Sequence, residues 1–208
     1  MSRIYDCSPP ITQSLAVWPG DTPPSRNVLM DMTRGDNLTL SSLNATVHLG
    51  SHVDGANHYG VNSPGVDEWD VERFWGPCVV LDVDVGPDRR VKLESVPTEL
   101  PAERVLLKTG SFQDVENFNE HFAGLSPDII HRLADGGVRL VGVDTPSVDL
   151  FESKALETHN ACLERDVAIL EGLVLKNVPV GRYEISAVPL RLVGFDASPV
   201  RAVLRSLD

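Results

Sequence analysis

The chain has 208 residues, of which 42% are hydrophobic and 23% are charged, a composition typical of a folded protein with one substantial core. Thirty acidic residues against eighteen basic ones give a formal net charge of −12, which repels phosphate backbones and anionic lipids. Length and charge therefore predict a single domain over residues 1–208 and argue against nucleic acid and membranes as partners.

The first forty residues are rich in turn-forming residues and predict loops and short strands. Their beginning, MSRIYDCSPPITQS, lacks the basic and apolar regions of a secretory signal. No run in the chain approaches the ~18 consecutive apolar residues of a membrane span. We therefore expect a cytoplasmic protein.

Several short apolar runs predict strands. The alternation of polar and apolar residues in LTLSSLNATVHLG, 38–50, suits one or two strands. Runs rich in leucine or β-branched residues that end in turn residues are typical of buried strands. Such runs lie at 77–85, 104–110, 138–146 and 167–175, and a final strand region is predicted at 183–194.

The clearest predicted helix lies in SPDIIHRLADGG, 126–137. Ser126 can cap it, Pro127 suits the first helical position, and two glycines follow its last turn. A second helix is predicted at 153–165. Because strands and helices interleave without a strict βαβ repeat, we expect an α/β domain with a mixed β-sheet and flanking helices.

The three cysteines, Cys7, Cys78 and Cys162, lie far apart and form no CxxC pattern. This spacing favours neither a disulfide framework nor a thiolate zinc site, and each cysteine is predicted to be a small buried hydrophobe. Cys162 lies close to His159, which leaves a role as ligand or nucleophile open.

Three of the six histidines and one aspartate lie close together in VHLGSHVDGANHYG, 47–60. Imidazole and carboxylate are preferred ligands of zinc and related divalent ions. The glycines disfavour a helix here, and in a flat strand His48 and His52 would lie about 13 Å apart, too far for one ion. A metal site therefore requires a bend, which Gly50 permits, and His52 and Asp54 can then chelate from one extended face.

A polar surface loop is the alternative interpretation of this segment. Of the remaining histidines, His121 and His131 fall in stretches that predict solvated helix or loop positions. His159 precedes Glu171, which interrupts the apolar run VAILEGLVL. A buried carboxylate needs a partner, and that partner is either a metal ion or a salt bridge at the end of the strand.

The motif His48-x-Gly50-Ser51-His52-x-Asp54-Gly55-Ala56-x-His58 resembles the HxGTHxDxPxH signature of the cyclase-like metal-dependent hydrolases. Further segments resemble the kynurenine formamidase branch of that family, in the same order and at similar spacing, so the resemblance spans nearly the whole chain. These segments are VWPGDTPP (17–24), GVDTPSVD (142–149), ILEGLVLKNVPVGRYE (169–184) and PLRLVGFDASPVRAVL (189–204). Two residues depart from the signature: Ser51 stands where threonine or a small residue is usual, and Ala56 stands where proline is usual. Neither departure removes a ligand.

The resemblance implies a cyclase-like, swivelling β/β/α fold and two zinc ions per subunit, with Mn²⁺ or another divalent ion as the alternative. It implies that His48, His52 and Asp54 bind one ion. Asp54 is also implied to reach the second ion together with His159 and Glu171, with Glu171 bridging the two ions. A homodimer is implied as well.

The resemblance also implies an activity, namely hydrolysis of N-formyl-L-kynurenine to L-kynurenine and formate by a metal-activated water, in tryptophan degradation through kynurenine. The partner would be a small-molecule aryl formamide. His58 matches the proton donor and acceptor of the family. Trp18 matches an aromatic residue that lines the substrate pocket, and an ordinary core tryptophan is the alternative for it.

Two other functions stay open at this stage. Isatin hydrolases carry a similar signature, so the substrate is either the formamide or another aryl or cyclic amide. The second alternative is a non-catalytic metal-binding protein, although closed structural zinc sites favour cysteine, which this cluster lacks. The sequence has no GxSxG elbow, which argues against a serine hydrolase.

Overall fold

The computed structural model describes residues 2–83, 85–97 and 102–207. In chain order its strands are β1 Ile4–Asp6, β2 Ser25–Met30, β3 Leu40–Asn44, β4 His52–Asp54, β5 Trp75–Asp82, β6 Arg90–Val91, β7 Arg104–Lys108, β8 Gly124–Leu125, β9 Leu140–Val143, β10 Ala168–Glu171, β11 Gly181–Ser186, β12 Ala197–Pro199 and β13 Val203–Ser206. The α-helices are α1, Pro127–Asp135, and α2, Glu157–Glu164. Short 3-10 helices lie at Met32–Arg34, Ala56–His58, Val66–Glu68, Val71–Phe74 and Leu93–Ser95.

One large mixed sheet organises the molecule, with the strand order β1-β13-β11-β5-β7-β9-β10-β4-β12. The four central strands, β5, β7, β9 and β10, run parallel to their neighbours within that group. Antiparallel strands extend the sheet on both sides, with β11 beside β5 and β4 beside β10. Two further pairs, β2 with β3 and β6 with β8, form separate two-stranded sheets. The predicted α/β class with a mixed sheet is confirmed.

The central strands are buried on both faces, which explains why they read as continuous apolar runs. Val105 and Ile169 face the layer that contains α1, α2 and Cys162. Leu106 and Leu170, one residue further along the same strands, face the opposite layer with Phe74 and Tyr183.

All three cysteines are free and buried, as predicted. Among the described residues, no helix is long and apolar enough to cross a lipid bilayer.

The predicted helices are found, with one difference in length. Helix α1 begins at Pro127, and Ser126 occupies its N-cap position, but the Ser126 side chain accepts no capping hydrogen bond from the backbone. Helix α2 begins only at Glu157, whereas the prediction began at 153. The reason is Leu156, whose positive φ of 49° cannot continue a helix, so that residues 153–155 lie outside it.

Several predicted strands are shorter in the structure because turn residues end them early. The run at 167–175 stops at Glu171, since Gly172 has a φ of +67°. The region at 183–194 ends at Ser186, and a proline at 189 follows. The run at 77–85 forms β5, and its residue 84 lies outside the described residues. Strands β12 and β13 were not predicted.

The predicted bend in the histidine-rich segment occurs at Gly50, whose φ is +58°. A second turn at Gly172 packs directly against it, because a Cβ at position 172 would lie 2.2 Å from the carbonyl oxygen of Gly50. The Ser51 hydroxyl lies 2.8 Å from the carbonyl oxygen of Gly172 and 3.2 Å from that of Cys7. These contacts join the bend to the end of β10.

Gly172→Ala is expected to destabilise the protein more than Gly137→Ala. Both glycines have a positive φ, which costs an alanine about 1–2 kcal/mol, but a Cβ at 137 meets no atom within 4 Å. At 172 the methyl group also collides with backbone, so the expected loss is about 2–5 kcal/mol. Urea unfolding of both metal-free variants measures the difference, and equal losses would contradict the close packing at Gly172.

Candidate metal centre

The pairing of β4 with β10 brings the first residues of the predicted metal site together. His52 lies directly opposite Glu171 in this antiparallel pair, so both side chains are on one face of the sheet. His52 Nε2 is 3.3 Å from Glu171 Oε2. Asp54, two residues after His52, points to the same face and is fully buried.

The bend at Gly50 returns His48 to this face. His48 Nδ1 lies 3.3 Å from Asp54 Oδ1, and His52 Nε2 lies 3.6 Å from the same oxygen. The first three predicted ligands therefore converge on one carboxylate oxygen. In a flat strand this convergence would be impossible, so it depends on the positive φ of Gly50.

Helix α2 supplies His159 from the other side. Its Nε2 atom is 3.6 Å from Asp54 Oδ2 and 3.7 Å from Glu171 Oε1. The two oxygens of Asp54 thus face different partners, since Oδ1 faces the two histidines of the bend and Oδ2 faces His159. The structure brings all five residues predicted as ligands into one cluster.

His58 stands at the edge of the same cluster, at the end of the 3-10 helix Ala56–His58. Its ring centroid is 4.2 Å from that of His48, and about a third of its side chain is exposed. Burial lowers the pKa of His58. Among the described residues, three groups have ligand atoms within 4.8 Å of one another: His48, His52 and Asp54; Asp54, His58 and His159; and His48, His58 and Asp196. The distances therefore admit His58 both as a ligand and as a free proton carrier.

The carboxylate of Asp54 tests whether the cluster suits a metal ion. Both of its oxygens are buried and have no hydrogen-bond partner among the described residues. Burial acts to raise the pKa of Asp54, but the surrounding histidines hold it well below its usual range, so the group is an anion. A buried anion whose oxygens accept no hydrogen bond is costly, and a cation between it and the imidazoles would compensate this cost. The donor set of imidazole nitrogens and carboxylate oxygens fits Zn²⁺ or Mn²⁺.

The electrostatics of the histidines agree with a cation site. Burial acts to lower the pKa of His48, but Asp54 and Asp196 outweigh it and raise the value to about 9. For His159, burial is likewise outweighed by Asp149 and Asp54, which raise the pKa to about 10. The cluster stabilises positive charge, which a divalent ion supplies.

The outer nitrogen of each clustered histidine is engaged by a hydrogen-bond acceptor. His52 Nδ1 lies 2.9 Å from the Gly50 carbonyl oxygen, His159 Nδ1 lies 2.8 Å from Asp149 Oδ2, and His48 Nε2 lies 3.0 Å from Asp196 Oδ2. With a proton held on each of these outer nitrogens, the inner nitrogen is the one that could donate its lone pair to a metal ion bound beside the carboxylates. The sequence interpretation assigned no role to Asp149 or Asp196, although both lie in segments that resemble the family.

A cavity of about 470 Å³ opens onto the cluster. Its lining includes the four histidines of the site, Glu171 and the aromatic residues Trp18, Phe112 and Phe118. Trp18 is half-buried there, with ring centroids 4.9 Å from Phe151 and 5.5 Å from Phe118. Trp18 thus lies at the cavity rather than in the buried core.

The remaining candidates lie away from the cluster. Cys162 is fully buried, which raises its pKa well above the usual range, and it does not line the cavity. His121 is exposed and lies 2.9 Å from an oxygen of Asp88. His131 is on α1, with its Nδ1 3.5 Å from Arg165. Neither histidine contributes to the site.

Comparison with known proteins places this site in a family. The family model described as putative cyclase matches residues 5–150. The chain belongs to the cyclase family. It is also 40% identical, over the full length of both chains, to a kynurenine formamidase of Bordetella avium (strain 197N).

Solved structures with the cyclase fold agree with this assignment. A potential metal-dependent hydrolase with cyclase activity has a TM-score of 0.84 and 29% identity, with complete coverage of both chains. An isatin hydrolase bound to the product analogue thioisatinate also reaches a TM-score of 0.84, at 18% identity, over 99% of this chain and 92% of that one. The predicted cyclase-like fold is confirmed.

Metal binding is expected to stabilise this cyclase family member. Zn²⁺ at about 100 times its dissociation constant should add about 2.7 kcal/mol per site to the free energy of unfolding, because the ligands converge only in the folded chain. Asp54→Ala should remove this gain, whereas Asp114→Ala, at an exposed position, should keep it. Thermal unfolding with and without a chelator measures the effect, and an equal gain in both variants would contradict the assignment of Asp54.

Proposed function

We propose that this chain hydrolyses N-formyl-L-kynurenine to L-kynurenine and formate, in tryptophan degradation through kynurenine. The full-length identity of 40% to a protein named kynurenine formamidase supports the substrate. The observation that carries the proposal is the cluster of three histidines and two carboxylates, because its histidines and Glu171 line a cavity that is also lined by aromatic residues. Its volume of about 470 Å³ suits a small aromatic substrate.

We infer that the cluster binds two zinc ions. His48, His52 and Asp54 would hold the first, and Asp54, His159 and Glu171 the second, in accord with the different partners of the two Asp54 oxygens. Divalent ions bound there would lower the pKa of a water molecule and polarise the formyl carbonyl.

The chain itself would contribute proton transfer. His58 is adjacent to His48 and partly exposed at the cavity, so a substrate and a water molecule bound there would lie beside its ring. A neutral His58 ring would accept a proton as the water attacks the formyl carbon. It would then donate a proton to the arylamine nitrogen as the C–N bond breaks. The amine leaves as a neutral group.

The aromatic residues that line the cavity would position the substrate. Trp18 and Phe118 both line the cavity, and aromatic side chains hold an aryl group in offset or edge-to-face contact. Contact with the aryl group would leave the formamide facing the histidines and Glu171. We therefore assign Trp18 to substrate binding.

The substrate assignment is tested by assaying purified, zinc-loaded protein on N-formyl-L-kynurenine and isatin side by side. We expect a higher kcat/KM for the formamide. Faster turnover of isatin would assign the chain to cyclic amide hydrolysis, which the similar fold of an isatin hydrolase motivates. Stabilisation by metal without hydrolysis of either compound, or of other aryl amides, would instead support a non-catalytic metal-binding protein.

His58→Ala is expected to lower kcat by about 10²- to 10⁴-fold, the usual contribution of a general acid–base group. His121→Ala is the matched control, because this histidine is exposed and lies outside the cluster. The bound zinc of both variants is measured alongside. Unchanged turnover by His58→Ala at normal zinc content would exclude the proton-transfer role, and loss of zinc would identify His58 as a ligand.

We also propose a homodimer. The hairpin formed by β2 and β3 is a sheet of its own, and isolated two-stranded hairpins are marginally stable in water. Its exposed side chains include Leu29, Leu40 and Leu43, with 57%, 48% and 62% of their surfaces accessible. A second copy that covers these leucines would stabilise the hairpin. Light scattering tests the proposal, and a monomeric mass would exclude it.

A further inference from the structure

The segment Asp-Thr-Pro-Ser-Val-Asp, residues 144–149, connects the end of β9 to the metal centre. At its start, the Asp144 carboxylate accepts hydrogen bonds from the backbone of Thr109 and Gly110, both at 2.9 Å. At its end, the Val148 N–H donates to Glu171 Oε1 at 2.7 Å, and Asp149 contacts His159. Two adjacent residues of this segment therefore each contact one proposed ligand of the second ion.

Asp149 contacts His159 at both its ring and its backbone. The carboxylate is fully buried, and its Oδ2 atom accepts from His159 Nδ1 at 2.8 Å and from the His159 backbone N–H at 3.1 Å. Both oxygens also lie 3.1 Å from the Thr158 backbone nitrogen. One side chain thus constrains the position of the His159 backbone and the rotation of its ring.

The start of α2 depends on this distant carboxylate. Leu156, at the N-cap position, has a positive φ and no side chain that could cap the helix. The first turn of a helix leaves backbone N–H groups without partners, and Asp149 accepts two of them. The same contacts that cap α2 also orient its histidine.

Arg90 holds Asp149 in place from the side opposite His159. Its Nη1 atom lies 2.7 Å from Asp149 Oδ1, 2.6 Å from the Leu125 carbonyl oxygen and 2.8 Å from Thr158 Oγ1. Its Nη2 atom lies 2.8 Å from Glu157 Oε2. The planar guanidinium therefore spans β8 and the start of α2, and it leaves the Asp149 carboxylate little freedom to rotate.

We propose that Asp149 is the positioning residue for His159: it accepts a hydrogen bond from Nδ1–H, so that Nε2, which lies between Asp54 and Glu171, can donate its lone pair to the second ion. This inference rests on the proposed two-ion function of the cluster. A purely structural role, in which Asp149 only caps α2, makes a different prediction, because the cap needs the backbone contacts and not the ring contact.

The first test reads the ring of His159 directly in the metal-free protein. Long-range proton–nitrogen NMR on histidine labelled with ¹⁵N distinguishes the two neutral tautomers, and loss of one signal in His159→Gln assigns the residue. Because Asp149 and Asp54 raise the pKa of His159 to about 10, the spectra are recorded above that pH, where the ring is neutral. We expect the proton of the neutral ring on Nδ1 in the wild-type chain. A proton on Nε2 would overturn the proposal. This measurement needs neither a variant of Asp149 nor bound metal.

The second test compares Asp149→Asn with Asp144→Asn by competition of Zn²⁺ with a chromophoric chelator. Both aspartates are buried in the same segment, but Asp144 bonds to Thr109, Gly110 and no proposed ligand. We expect Asp149→Asn to weaken the second Zn²⁺ by about 10- to 100-fold and to leave the first unchanged. Asp144→Asn should keep both affinities.

The outcomes separate this inference from the proposed function. If Asp149→Asn lowers only the stability of the metal-free protein and binds two ions as the wild type does, Asp149 is a helix cap and the proposal fails. If the wild type binds only one ion, the two-ion function fails, while the tautomer of His159 still decides the role of Asp149. Should Asp149→Asn not fold, Arg90→Lys replaces it, with an expected weakening of the second ion alone.

Discussion

The burial of two carboxylates on adjacent antiparallel strands is the constraint on which the rest of the site depends. Asp54 on β4 and Glu171 on β10 are both at most 4% exposed. Two anions removed from water are costly unless cations or donors surround them. Three imidazole rings surround these oxygens, with nitrogens at distances between 3.3 and 3.7 Å. The Val148 N–H donates a hydrogen bond to one of them. The same arrangement is what a divalent ion needs.

The mixed sheet is what makes this arrangement possible. Strand β10 pairs in parallel with β9 on one side and antiparallel with the short β4 on the other, and this second pairing places His52 opposite Glu171. The chain bends at Gly50, just before β4. Gly172 lies so close to the backbone of Gly50 that a Cβ at position 172 would collide with the carbonyl oxygen of Gly50. The geometry of the cluster is therefore coupled to the packing of two turns. A hydrogen-bonded outer layer, from Asp149, Asp196 and the Gly50 carbonyl, orients the rings.

Local sequence could predict the strands and helices that are marked by nearby residues, such as an apolar run, a proline or a glycine. The central strands are buried on both faces, so their apolar runs were recognisable, and Pro127 with the glycines after α1 marked a helix. Helix α2 was predicted too long, because its start depends on a backbone turn at Leu156 and on a cap from Asp149. Strands β12 and β13 are three and four residues long, and pairing with distant strands stabilises them.

For the site, the sequence by itself determined the donor types, the bend at Gly50 and the common face of His52 and Asp54, because these follow from residue chemistry and short-range geometry. Family resemblance, rather than spacing, selected His159 and Glu171. Only the tertiary structure decided that His159 faces the second oxygen of Asp54, and which nitrogen of each ring points inward. These features depend on strand pairing and on hydrogen bonds between segments far apart in the chain, which spacing along one segment does not encode.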